Sequence, residues 1–342
     1  MRPLPVAVST GDPGGVGPEI SLVVGLEACA HDRIVLFGDG KWLAQRAAAL
    51  GADAATLVHV DPARPFDFPV GKLALADAGV VWDANALQHQ ASAAGGLAQL
   101  RALELALAAA RHSHARALVT APMSKAAVNL AGCVFMGHTE HLARAVGLAD
   151  DDVTMMFLGP RLRVALVTTH VSIARAPAEI TGARVERAVI HLAQALVQAD
   201  ARQAMASAPR RLVVAGLNPH AGEGGLFGDE EVRVIEPALR RAREREPFRS
   251  GLVALEGPMP AESAFRYAAS GAIDGIVAML HDQATIASKL LDWGQAVNVT
   301  WGLPFVRTSV DHGVAYDAAR AGTADAEGMR SALHLAQRLT LT

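Results

Sequence analysis

Along this chain, apolar positions fall into two kinds of run. The first is short and continuous: residues 4–9, 33–38, 116–121, 153–158, 162–169, 212–217, 273–280 and 295–300. These runs are rich in Val, Leu and Ile and show no alternation with polar residues. Strands covered on both faces have this pattern, which predicts a largely parallel sheet. The second kind repeats every three to four residues. Leu97, Leu100, Leu103 and Leu107 share one helical face, and Val185, Val189, Leu192 and Leu196 share another. Strand and helix alternate almost throughout. The pattern predicts an α/β fold with ligand sites at the carboxyl ends of the strands. No repeat or low-complexity linker marks a boundary, so a split into domains discontinuous in sequence is expected.

Composition narrows the classes. Of 342 residues, 51% are hydrophobic and 19% charged, which excludes intrinsic disorder. Only 4% are aromatic, so Ala, Val, Leu and Ile must build the core. A net charge of −3 gives no basic field for a nucleic acid. No apolar run approaches the roughly 20 residues of a membrane span. The N-terminal segment does not read as a signal peptide. Two cysteines, Cys29 and Cys133, are too few for a disulfide framework, so a cytoplasmic protein is expected.

Thirteen histidines are the unusual count, and several stand where chemistry can occur. His170, His220 and His281 each follow a predicted buried strand. Parallel strands bring their carboxyl ends to one edge, so the three imidazoles can converge as ligands of a catalytic divalent metal. His220 lies in a loop with four glycines, which permits close backbone approach to a ligand or makes a flexible surface loop. The acidic run Asp229, Glu230 and Glu231 after it reads as the start of a helix. Gly137-His138-Thr139-Glu140-His141 can open a helix and offer an imidazole and a hydroxyl to an anion, or His138 can simply cap it. Lys289, Asn298 and Arg307 sit on consecutive elements and can form a phosphate clamp. The turn at residues 10–18, TGDPGGVGP, either presents backbone N–H groups to an anion or is a tight strand-to-helix turn.

Read together, TGDPGGVGPEI (10–20), TAPMSK (120–125), GHTEHLA (137–143), LNPHAGEGG (217–225), LHDQ (280–283) and AVNVTWGLPFVRTSVDHG (296–313) resemble the 4-hydroxythreonine-4-phosphate dehydrogenase family of vitamin B6 biosynthesis. The resemblance covers nearly the whole chain. It implies an isocitrate/isopropylmalate dehydrogenase-like α/β fold: two α/β/α domains with an active-site cleft between them. Expected boundaries are 1–130 plus 295–342 for the cofactor side and 131–294 for the metal and dimer side. It also implies a homodimer with the active site near the subunit interface. The implied reaction is NAD(P)- and metal-dependent oxidation of 4-phosphohydroxy-L-threonine, followed by decarboxylation.

Carried over by position, His170, His220 and His281 match the metal ligands, for zinc, magnesium, cobalt or manganese. His138, Thr139, Lys289, Asn298 and Arg307 match the substrate contacts. Lys289 and Asp282 are the candidates for proton acceptor. Glu262 stands where the family usually has Asp, Leu280 where Tyr commonly precedes the third His, and Trp301 where Leu is common. These departures bear on the substrate, and a sister branch acts on 4-phosphorylated threonate or erythronate. The segment from His312 and Gly313 through Asp317 to Asp325 looks like the adenosine-binding loop of the isocitrate and isopropylmalate dehydrogenases. Asp317 there accepts from both ribose hydroxyls and repels a 2′-phosphate, so NAD is expected over NADP, although Arg320 argues the other way. The residues alone leave a metal-dependent hydrolase and a structural metal-binding protein as the competing classes.

Overall fold

The computed structural model describes residues 3–80, 89–200 and 208–340. Twelve strands form among them: β1 (Val6–Ser9), β2 (Ile34–Gly38), β3 (Leu57–Val60), β4 (Leu73–Asp77), β5 (Ala117–Thr120), β6 (Thr154–Leu158), β7 (Arg163–Leu166), β8 (Arg210–Ala215), β9 (Val253–Met259), β10 (Gly275–Ala278), β11 (Val297–Trp301) and β12 (Val306–Ser309). The chain divides into two compact units, Met1–Gly147 with Leu303–Thr342, and Leu148–Gly302.

In the first unit the strand order is β3-β4-β2-β1-β5-β12, and every pairing is parallel. The continuous apolar runs follow from burial on both sides. Val35 and Phe37 of β2 face the helix Ala93–Arg111 and join Ala102, Leu103 and Ala106 in one core cluster. Ile34 and Leu36 point the opposite way, as the period of two requires. There Gly25 of the helix Gly17–Ala28 lets that helix approach Leu36 and Leu73 closely.

In the second unit the order is β11-β6-β7-β10-β8-β9. Four of its strands run parallel, β7-β10-β8-β9, but β11 pairs antiparallel with β6 and β6 antiparallel with β7. The connection between β6 and β7 closes with Gly159 N–H donating to the Leu162 carbonyl at 2.8 Å. So short a link can join only antiparallel neighbours. The sheet of this unit is therefore mixed.

The units meet the chain at 147/148 and 302/303, later than the expected 130/131 and 294/295. Phe135 and Leu142, the latter on the helix His138–Ala145, are buried in the first unit's core, which carries that segment with it. β11 extends the other unit's sheet through its register with β6, Val297 opposite Leu158.

A buried carboxylate fixes the β6–β7 hairpin. Asp292, 3% exposed, accepts from Leu162 N–H at 2.8 Å and from Arg161 N–H at 3.2 Å. Gly159 is required beside it, since a Cβ there would lie 2.1 Å from the carboxylate. Asp292→Ala leaves these donors buried without an acceptor, at a cost of about 1–3 kcal/mol per group. It should lower the urea midpoint clearly; an unchanged midpoint would show that the hairpin does not depend on this carboxylate.

Candidate functional site

Three of the parallel strands, β7, β10 and β8, lie side by side, so their carboxyl ends share one edge. The pairing continues past β7, where Val167 N–H donates to Ala278 and the Thr168 hydroxyl donates to the Met279 carbonyl at 2.6 Å. This brings His170 and His281 together, with ring centroids 5.6 Å apart. A cavity of about 260 Å³ opens beside them, lined by Thr168, His170, Ser172, Leu280, His281 and Asp282. His281 Nδ1 is hydrogen-bonded to Asp282 Oδ1 at 2.8 Å, which orients the ring and turns Nε2 to other partners. Gln283 ties two strand ends together. Its Oε1 accepts from the Met279 and Leu280 N–H groups, both at 3.0 Å, and its Nε2 donates to the Gly216 carbonyl after β8.

His220 is held differently. Residues 220–224 form a left-handed turn: φ is 56° at His220, 54° at Ala221, 78° at Gly222, 45° at Glu223 and 70° at Gly224. Each non-glycine in that conformation costs about 1–2 kcal/mol. The turn is pinned from beneath by Glu231, which is 2% exposed. Its Oε1 accepts from the Leu217 and Asn218 N–H groups at 2.8 Å, and its Oε2 accepts from Asn218 Nδ2 at 2.9 Å. Gly222 leaves room for this carboxylate, 2.8 Å from where its Cβ would lie. Glu231 is thus a buried anchor rather than the helix-terminal charge that the sequence suggests.

Of the three histidines expected to converge, the structure brings His170 and His281 together. His220 is exposed, and among the described residues no three His, Cys, Asp or Glu gather as a metal-holding group. The imidazole pair has the donor chemistry for a borderline divalent cation such as zinc or cobalt. Glu262 is exposed in the first turn of the helix Ala261–Ala269.

In the first unit, Arg307 lies inside β12 and is 2% exposed. Its Nη2 donates to Thr120 Oγ1 at 2.7 Å. Burial brings its pKa down to about 9, opposed by the Glu140 carboxylate, so the guanidinium remains charged at neutral pH. His138 and Thr139 open the helix His138–Ala145. His138 Nε2 is buried and has no hydrogen-bond partner. Burial, with the charges of Arg307, His141 and Lys125, holds the His138 pKa well below the usual range. A neutral imidazole protonated at Nε2 can donate to an anion there. Lys289 and Asn298 belong to the other unit. Lys289 lies on the helix His281–Leu291 with its ammonium 5.8 Å from the Trp293 ring centroid, and Asn298 is half-buried on β11.

The turn at residues 10–18 is a tight connection rather than an open anion cradle. Four of its N–H groups are already used: Asp12 donates to Pro122, Gly14 to Asp12 Oδ1, Gly15 to Asp12 and Val16 to Val314. Asp12 is 1% exposed, and burial raises its pKa. Its Oδ2 accepts from the Tyr316 hydroxyl at 2.7 Å and from Gln99 Nε2 at 3.4 Å, which fastens the turn to the helix Tyr316–Ala321. Burial also pushes the Tyr316 phenol up. A cavity of about 330 Å³ lies beside this junction. Its lining from the expected cofactor segment is Ala319, Gly322 and Ala324, with Ala326 just beyond it, not His312, Gly313, Asp317 or Asp325. His312 Nδ1 is 2.9 Å from the Gly313 carbonyl oxygen. Asp317 is fully exposed, 3.7 Å from Arg320. Asp325 Oδ1 accepts from Glu327 N–H at the start of the last helix.

Residues 30–336 match the family described as pyridoxal phosphate biosynthetic protein PdxA. The chain is 39% identical to a 4-hydroxythreonine-4-phosphate dehydrogenase of Geobacter metallireducens, over 98% of this chain and 95% of that one. It is similar to the crystal structure of a 4-hydroxythreonine-4-phosphate dehydrogenase from Klebsiella pneumoniae, with TM-score 0.79 and 34% identity over 99% and 100% of the two chains. A β-decarboxylating dehydrogenase from Thermococcus kodakarensis shares the fold, with TM-score 0.53 and 15% identity over 100% of this chain and 84% of that one.

Removing the anchor under the His220 turn should free it. In Glu231→Ala, hydrogen exchange at the Leu217 and Asn218 amides should accelerate strongly while β5 keeps its protection. Equal protection in the variant would show that the turn holds itself.

Proposed function

Because the chain belongs to the family of pyridoxal phosphate biosynthetic protein PdxA, we propose that it is a 4-hydroxythreonine-4-phosphate dehydrogenase. It is an oxidoreductase of vitamin B6 synthesis. It oxidises the C3 hydroxyl of 4-phosphohydroxy-L-threonine to the 3-oxo acid, which loses carbon dioxide to give 3-amino-2-oxopropyl phosphate. The observation that carries this reading is the His170–His281 pair at the ends of adjacent parallel strands. A hydrolase reading has no comparable support from the relatives.

His170 and His281 would hold the divalent metal, with the exposed His220 closing on it as the third ligand, and the 311–325 segment would contact the cofactor. When bound, the two groups supply a Lewis acid for the C3 oxygen and a hydride acceptor for C3. The chain does the rest. Arg307 and neutral His138 receive the phosphate, with Thr139 at the helix start beside them. Lys289 and Asn298 orient the hydroxy-acid end. Asp282 is engaged with His281 and acts as a positioning residue, so the proton of the C3 hydroxyl goes to Lys289. Glu262, exposed on its helix, is available to orient the substrate. Holding both ends converts the oxidation into a reaction of one fixed conformer.

The protein acts as a homodimer in the cytoplasm in this reading. Ile286 and Leu290, one turn apart on the helix His281–Leu291, and Trp293 just past its end are exposed apolar side chains, which a second copy would cover. Among the described residues no helix is long and apolar enough to cross a membrane. Asp317 favours NAD over NADP, its carboxylate repelling a 2′-phosphate more than Arg320 attracts it.

With divalent metal, NAD and 4-phosphohydroxy-L-threonine, reduced nicotinamide and carbon dioxide should appear together. Chelation should stop both, and His170→Ala or His281→Ala should lower kcat/KM by orders of magnitude. Full activity in metal-free protein would overturn the assignment. For the cofactor, wild type should give the higher kcat/KM with NAD, and Asp317→Ala should narrow the ratio. A wild-type preference for NADP would refute the role of Asp317.

A further inference from the structure

We propose that Trp42 is the flat seat on which the adenine ring of the dinucleotide stacks. This rests on the nicotinamide-dependent reading above and adds a residue that the sequence motifs do not contain. The 330 Å³ cavity of the first unit has an apolar floor from Ile20 and Val23 and small residues along the 319–326 side. Among the described residues, Trp42 is the largest aromatic side chain lining it, and it is half-buried.

Its backbone is fixed. Trp42 lies in the first turn of the helix Gly40–Ala49, where Asp39 Oδ1 accepts from its N–H at 2.9 Å. One turn later, Arg46 lines the same cavity, and its guanidinium is held by Glu19 through two bonds of 2.6 and 2.8 Å. That pairing neutralises the one cation among the lining residues. The cavity therefore offers an aromatic face, an apolar floor and a charge-balanced rim. Such a site suits an uncharged heteroaromatic ring and gives no net attraction to a phosphate. The Asp12–Tyr316 hydrogen bond holds two sides of the cavity in register, since the first turn and the 316–326 segment both contribute to its lining.

Stacking of a base on an aromatic side chain is worth about 1–3 kcal/mol, so losing the indole should weaken binding about ten-fold or more. The test compares wild type, Trp42→Phe and Trp42→Ala by steady-state kinetics with NAD, using AMP and nicotinamide mononucleotide as inhibitors. In Trp42→Ala the KM for NAD and the inhibition constant of AMP should rise together, while that of nicotinamide mononucleotide stays put. Trp42→Phe should retain most of the affinity; AMP should quench tryptophan emission in wild type, and that quenching should be lost in Trp42→Phe. If Trp42→Ala fails to fold, the quenching comparison with Trp42→Phe decides alone. An unmoved AMP constant, or quenching that persists in Trp42→Phe, would overturn the role of Trp42 and leave the dehydrogenase reading intact. A wild type that reduces neither NAD nor NADP would overturn both.

Discussion

Burial of both faces of the central strands is the constraint from which the architecture follows. A strand such as β2, with every residue buried, has no side left for chemistry. Candidate functional groups such as His170, His281 and His138 then stand at strand ends and in the first turns of helices, while Arg307 and Asn298 lie within β12 and β11. In the second unit, parallel pairing then sets the ends of β7, β10 and β8 at one edge, and His170 and His281 meet there. The antiparallel β6–β7 hairpin does not disturb that edge, because it lies on the far side of β7 from β10.

Loops at such an edge need rigid support, and buried polar side chains supply it. Asp12 fastens the first turn, Glu231 the left-handed turn at His220, Asp292 the β6–β7 hairpin, and Gln283 the junction of β10 with β8. Each carboxylate accepts from backbone N–H groups that would otherwise be buried without a partner, which is the costly alternative. Arg307 is the counterpart with positive charge. A guanidinium buried inside a strand is costly to desolvate, and its bond to the Thr120 hydroxyl and the charge of Glu140 offset part of that cost.

Much of this was legible in the sequence. Continuous apolar runs revealed the buried strands, and the strand-end positions of His170 and His281 foretold their meeting. What escaped has physical causes. β9 is half-exposed and carries Pro258, so it lacks a continuous apolar run. β4, Leu-Ala-Leu-Ala-Asp, has the composition of a helix former. β12 carries Arg307, Thr308 and Ser309, which read as polar though all three are buried. Glu231 and Asp12 looked like helix-end and turn residues, because only the folded backbone shows which N–H groups they serve. Trp42 belongs to no motif, and only the cavity beside it gives it meaning.

The reaction is oxidation at C3 by hydride transfer with loss of the carboxyl carbon, not hydrolysis. Substrate deuterated at C3, followed through a single turnover with NAD and metal, distinguishes the two. Under hydride transfer the deuterium appears in the reduced nicotinamide, with carbon dioxide released in equal amount and the phosphate ester intact. Deuterium retained at C3, or release of inorganic phosphate without reduced nicotinamide, would contradict it.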